Sequence, residues 1–171
     1  MRDLQELGLQ TCGRDVLPPP TAQQIALVEE IIGRPLPQSY LTFLRFCNGC
    51  APRLDYFTVE NEWGEHGYLV AAFYHISAKT VDTDDSSEVV WQYINGDPEI
   101  PDEIVPIALT PFGDSIYLDL TELGDGRVVL EQHGLPEWAS GTLPANTDLV
   151  IYVAPSFEAF LDLLITMPEE E

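Results

Sequence analysis

The chain has 171 residues, 45% of them hydrophobic, and sets 29 carboxylates against 7 basic side chains for a formal net charge of −22. Such a composition belongs to a globular protein that buries a core, not to a disordered chain, and the length fits one domain. A field of this sign repels nucleic acid and anionic membrane and attracts basic proteins at steered rates.

The first 20 residues read as an N-terminal extension. Leu4, Leu7 and Leu9 form its one apolar patch, and Val16-Leu17-Pro18-Pro19-Pro20 is a stiff extended stretch. Acids stand at Asp3 and Glu6, where a secretory signal would be basic and then apolar. Uncharged runs such as Leu149 to Phe157, which contains Pro155, are too short to span a bilayer. A cytoplasmic protein is expected. Thr21-Ala22-Gln23-Gln24 is a capping box, Ile25, Val28, Ile31 and Ile32 share a helical face, and Gly33 stops that helix. Pro37 opens a second helix whose apolar face is Tyr40, Leu41, Phe43, Leu44 and Cys47, with Asn48-Gly49 as its C-cap.

The period then changes. Residues 54–59 and 68–76 are rich in β-branched and aromatic side chains and read as strands. The pattern over 83–95 predicts a helix with acids in its first turn and Val89, Val90, Tyr93 and Ile94 inward, Trp91 packing it on the sheet. Residues 104–109, 116–120 and 128–131 follow as strands, separated by the turn residues Gly113-Asp114 and Gly124-Asp125-Gly126. A strand over 149–153 leads to a Ser156-capped helix carrying Phe157, Phe160, Leu161 and Leu164. This order predicts an α+β fold: a largely antiparallel, twisted sheet of about six strands with helices packed around it. The domain runs over residues 21–167, and residues 168–171 are an acidic tail.

Signals for chemistry are weak. Cys47-Asn48-Gly49-Cys50 has the spacing of a redox pair or a zinc half-site. Cys47, however, ends a helix instead of starting one, no second pair completes a tetrahedron, and His66, His75 and His133 are scattered. Structural cysteines are the preferred reading. No nucleophile elbow, P-loop, dinucleotide fingerprint or His-Glu-x-x-His pair is present. Asp82-Thr83-Asp84-Asp85 and Glu88 fail the calcium-loop pattern, and the helix dipole accounts for acids at a helix start. Glu131-Gln132-His133 with Asp119 nearby is the one acid–base candidate, and a surface His in a turn is its plainer reading. No catalytic residue, metal or cofactor is expected. Trp63 and Trp138 stand in polar segments, where an indole serves either as an interface anchor or as a loop side chain folded onto the core.

Certain segments resemble a known family. Gly33-Arg34-Pro35-Leu36-Pro37-Gln38-Ser39-Tyr40, then Phe43-Leu44 and Asn48-Gly49, is similar to the "G-x-x-L-P-x-x-Y-x-x-F-L…N-G" segment of the SUKH superfamily. Val105-Pro106-Ile107-Ala108, Gly113-Asp114 before Ile116-Tyr117-Leu118-Asp119-Leu120, and Ser156-Phe157-Glu158-Ala159-Phe160-Leu161 resemble its later strands and closing helix, in the expected order. This Smi/Knr-type fold is shared by fungal cell-wall regulators and many bacterial immunity proteins. The resemblance implies a non-catalytic protein that neutralises a cognate toxin by direct binding. Its alternative is a housekeeping scaffold of the same fold with an endogenous basic partner.

Between Glu60 and Asp125 lie 15 acidic residues and one cation, Lys79. The stretch Glu60, Glu62, Glu65, Asp82, Asp84, Asp85 and Glu88, with Trp63 as anchor, is the expected partner-binding surface. A toxin nuclease is the natural target, because its own site must be cationic to hold phosphates. The same acidity also fits a protein made soluble by charge alone.

Overall fold

The computed structural model describes residues 1–11, 17–61, 64–77, 86, 88–131 and 150–169. Helix α1 (Ala22–Ile32) opens with the reciprocal Thr21–Gln24 capping box and ends on Gly33 at φ 79°, burying Ile25, Val28 and Ile32. Helix α2 (Gln38–Phe46) starts after Pro37 and buries Tyr40, Phe43 and Leu44. The chain leaves α2 extended at Cys47, so Asn48-Gly49 is not its cap. Asn48 is instead a buried stitch. Its Nδ2 donates to the carbonyls of Pro18 (2.9 Å) and Ile76 (2.8 Å), and its Oδ1 accepts from Ile76 N–H (2.9 Å). Gly49, at φ 88°, lies so close to His75 that a Cβ would meet the His75 Cβ at 2.7 Å. Cys47 and Cys50 are joined in a disulfide with Cα atoms 6.0 Å apart, within the span such a bond needs. They are thus one staple across the turn, not two separate structural thiols.

A 3₁₀ turn over Leu4–Leu7 sends both leucines into the main core, and β1 (Gln10–Thr11) pairs with β2 (Cys50–Ala51). The Arg2 guanidinium donates to the carbonyls of Leu161 and Leu164. These first residues, read as an extension, are therefore bound to the same core as the helices.

Strands β3 (Tyr56–Asn61) and β4 (Gly64–Leu69) form a hairpin. The chain then enters a five-stranded antiparallel sheet of β5 (Ala72–Phe73), β6 (Ile104–Leu109), β7 (Ser115–Asp119), β8 (Arg127–Glu131) and β9 (Val150–Ala154), in that spatial order. Pro106 adjoins a register shift in β6, the kind of place a strand tolerates a residue without an N–H. Helix α3 (Val89–Asn95) packs against β6, and α4 (Phe157–Leu163) closes the core. The inner sheet face presents Val105, Ile107, Ile116, Leu118, Val128 and Leu130. Above it Tyr40, Phe43, Phe73, Phe157 and Phe160 interlock edge-on and tilted, at centroid separations of 4.6 to 6.5 Å. The α+β class and the antiparallel sheet are as the sequence predicts. Ile94 is not turned inward: α3 is only two turns long, and Ile94 is 60% exposed at its far end.

Candidate partner-binding surface

The hairpin β3–β4 stands out from the core along one edge. Its register pairs Phe57 with Tyr68, Val59 with His66, and Glu60 with Glu65. Phe57 and Val59 are buried and carry one face onto the core, where Phe57 stacks on Tyr68 and meets Phe160 edge-on. The pleat then turns Tyr56, Thr58, Glu60, Glu65, Gly67 and Leu69 to the opposite, outer face. A Cβ at Gly67 would overlap the Tyr56 ring, so that tyrosine lies across the glycine of the neighbouring strand.

Tyr56 exchanges both of its hydrogen bonds with Ile165, at 3.0 and 2.9 Å, on the side away from β4. Tyr56–Leu69 is therefore a non-hydrogen-bonded pair, and alternation makes Glu60–Glu65 another. Such pairs bring side chains closest. Two carboxylates thus face each other at the tightest spacing a sheet provides, both exposed, and neither has a basic partner among the described residues. Like charges directly opposite destabilise a ladder.

The other expected surface residues divide. Glu62, Trp63, Asp82, Asp84 and Asp85 lie outside the described residues, as do Trp138, Gln132 and His133. Glu88 is a correction. It is wholly buried, its carboxylate accepts the Trp91 N–H at 2.9 Å as the N-cap of α3, and its backbone bridges His75. Helix-start acids are read from sequence as solvated, but here the bridge to His75 draws the chain into the interior, and Glu88 belongs to the frame. It forms no part of the surface.

The acid–base candidates are also structural, and they are apart. Asp119 pairs with Arg127 across the ladder at 2.7 Å and accepts from Thr121 N–H and Oγ1, which fixes the β7–β8 turn. A Cβ at Gly124 would enter the Asp119 carboxylate, which accounts for glycine there. Glu131 accepts the Tyr117 hydroxyl at 2.8 Å, four residues farther along β8 than the Arg127 that faces Asp119. At a rise of about 3.3 Å per residue the two carboxylates are roughly 13 Å apart, too far to share a proton or flank one bond. Burial, reinforced by the bond to Glu131, pushes the Tyr117 hydroxyl pKa up, and burial does the same to Tyr40 and Tyr74. A cleft of about 60 Å³ between α3 and β6–β7 is lined by Tyr93, Asp102 and Tyr117. That is well below the roughly 300–1,000 Å³ that ligand sites occupy. Among the described residues no helix is long and apolar enough to cross a membrane.

Sequence reasoning missed β4 as a strand, and with it the geometry that makes Glu60 and Glu65 a pair. The signal available was Gly64 and Gly67, spaced as in a strand that another backbone approaches closely.

No curated protein matches the chain significantly. The family model described as the SMI1 / KNR4 family (SUKH-1) matches residues 19–163, from the proline stretch before α1 to the end of α4. The Leu-Pro-x-x-Tyr start of α2, the Asn48 stitch, the Asp119 turn and the Ser156-capped closing helix all fall within that span. The chain belongs to the SMI1/KNR4 (SUKH-1) family.

Proposed function

We propose that this protein is a non-catalytic immunity protein that binds a cognate toxin domain in the cytoplasm and neutralises it by covering its basic surface. The observation that carries the reading is the Glu60–Glu65 pair, two facing carboxylates on an exposed hairpin with no basic partner among the described residues. Membership in the family supports it, since an immunity role is consistent with that fold. A cation from a partner, set between the two carboxylates, would convert their repulsion into attraction at the cost of little rearrangement. Glu62 and Trp63 follow Glu60 and Asn61 in the chain and extend the same docking region; Asp82, Asp84 and Asp85 add to its field. A nuclease domain is the favoured target, because a groove built to hold phosphates also accepts carboxylates.

The test is reconstitution with a candidate toxin domain, sought first among the genes adjacent to this one. Mixed in equal amounts at low salt, the two should form a complex with toxin activity lost stoichiometrically, and affinity should fall steeply as salt rises. Full toxin activity in the presence of excess protein would overturn the proposal.

A further inference from the structure

Among the described residues β4 pairs with β3 alone, and Gly64, Glu65, His66 and Gly67 are all exposed. The opposite edge of the hairpin is closed: Tyr56 is bonded to Ile165, and β3 contacts β9. With Tyr56–Leu69 and Glu60–Glu65 as non-hydrogen-bonded pairs, Thr58–Gly67 between them is of the same kind. Glu65 and Gly67 therefore point their N–H and C=O groups away from β3, along the free edge.

Exposed edges of this kind either are blunted or receive a strand. Side chains on β4 stand off the faces of the sheet, and the Tyr56 ring lies over Gly67, so the backbone edge itself stays accessible. The charge pattern selects the occupant. A strand added beside β4 would place one of its side chains next to Glu65 on the outer face, where a cation pairs with Glu65 directly and offsets its repulsion with Glu60, about 10 Å away across two strand spacings. A second copy of this chain would bring another Glu60–Glu65 pair and a net charge of −22 to the same row. Like charges there repel.

We infer that β4 is a strand-addition edge, and that the partner contributes an extended segment with basic residues at alternate positions. The inference rests on the reading of this hairpin as the docking surface and states how it docks: backbone pairing supplies affinity, and alternate lysines or arginines supply selectivity.

Amide exchange on the full-length protein tests it, with the peptide acetyl-Lys-Val-Lys-Thr-Lys-Val-Lys-amide as probe and its glutamate analogue as control. The lysine peptide should slow exchange at Glu65 and Gly67, and the glutamate peptide should not. Gly67→Pro removes one outward donor and should weaken binding roughly five- to tenfold. Gly67→Ala also sets a Cβ against Tyr56 but keeps that donor, and should bind within about twofold of the parent. Equal losses in both variants would overturn the inference. So would protection elsewhere, or edge-to-edge dimers of the protein in sedimentation. Against the toxin, neutralisation by Gly67→Pro as complete as by the parent would overturn strand addition and leave the immunity reading intact. Peptide protection of the edge, with no toxin neutralised by the parent, would do the reverse.

Discussion

Glu60 and Glu65 should carry opposite signs in folding and in binding. A directly opposed, non-hydrogen-bonded pair places Cβ atoms about 4.5–5.5 Å apart. If the carboxylates splay to about 6 Å, Coulomb repulsion in water is ~0.7 kcal/mol. At 0.15 M salt, with a Debye length near 8 Å, about half of that remains. Glu60→Gln or Glu65→Gln alone should therefore stabilise the protein by roughly 0.6 kcal/mol at low salt and about 0.3 kcal/mol at 0.15 M. Combining them should add little of this local gain, because either change removes the same repulsion. That shortfall is what distinguishes a pair from general relief of a net charge of −22, which would be additive. Urea unfolding of the four species at about 10 mM and 1 M salt measures it. The coupling should be present at low salt and vanish at high salt. Both variants should also associate more slowly with a basic partner, with a flatter salt dependence. Additive stabilities at low salt, or single variants less stable than the parent, would refute the pairing.

Three further outcomes test the frame around the hairpin. Asn48→Ala leaves the Ile76 N–H and the Pro18 and Ile76 carbonyls without their partner, and should cost roughly 3 kcal/mol in urea unfolding. Glu88→Ala removes the α3 cap and should cost about 0.5–2 kcal/mol by the same measure, with no change in association rate; a slower association would return Glu88 to the docking surface. Tyr40 and Tyr117 have hydroxyl pKa values raised by burial, so the folded state holds those protons more tightly than the unfolded chain. Their stabilisation is complete below pH 10 and is lost as pH rises beyond it, by ~1.4 kcal/mol per tyrosine per pH unit until the folded hydroxyl ionises. Unfolding at pH 9 and 11, followed by tyrosinate absorbance, should show ionisation accompanying unfolding instead of preceding it.

What could be read from the sequence was whatever is decided by neighbours in the chain. The Thr21–Gln24 box and the Ser156 cap are satisfied within three residues, and α1 and α4 begin where those signals stand. Strands β6, β7 and β8 are β-branched runs between glycine turns, and their placement also follows locally. Where a distant partner decides, local reading failed. Asn48-Gly49 looks like a helix cap, yet its partners are 28 and 30 residues away. Gly64-Glu65-His66-Gly67 has no apolar alternation and becomes a strand because β3 pairs with it and Tyr56 covers Gly67. Glu88 has the composition of a solvated helix start and the burial of a core residue. Of the candidate site, the sign of the charge was visible, and the facing of Glu60 on Glu65 was not, because register is a property of two strands.

The ion-paired cations among the described residues sit on the frame and not on the hairpin. Among the described residues, Arg34 is paired with Glu103, Arg127 with Asp119 and Arg2 with Glu6. Each also secures structure: Arg2 ties the amino terminus to the carbonyls ending α4, Arg34 links the turn after α1 to the start of β6, and Arg127 fixes the β7–β8 turn. These three cations thus serve the frame, and among the described residues none is paired with Glu60 or Glu65 on β3–β4. A surface meant only for solubility gains nothing from setting two carboxylates opposite each other, since the same charges placed apart would solubilise equally well without the repulsion. A fold cost retained at one exposed position, beside an open backbone edge, is what a docking site for a cationic strand requires.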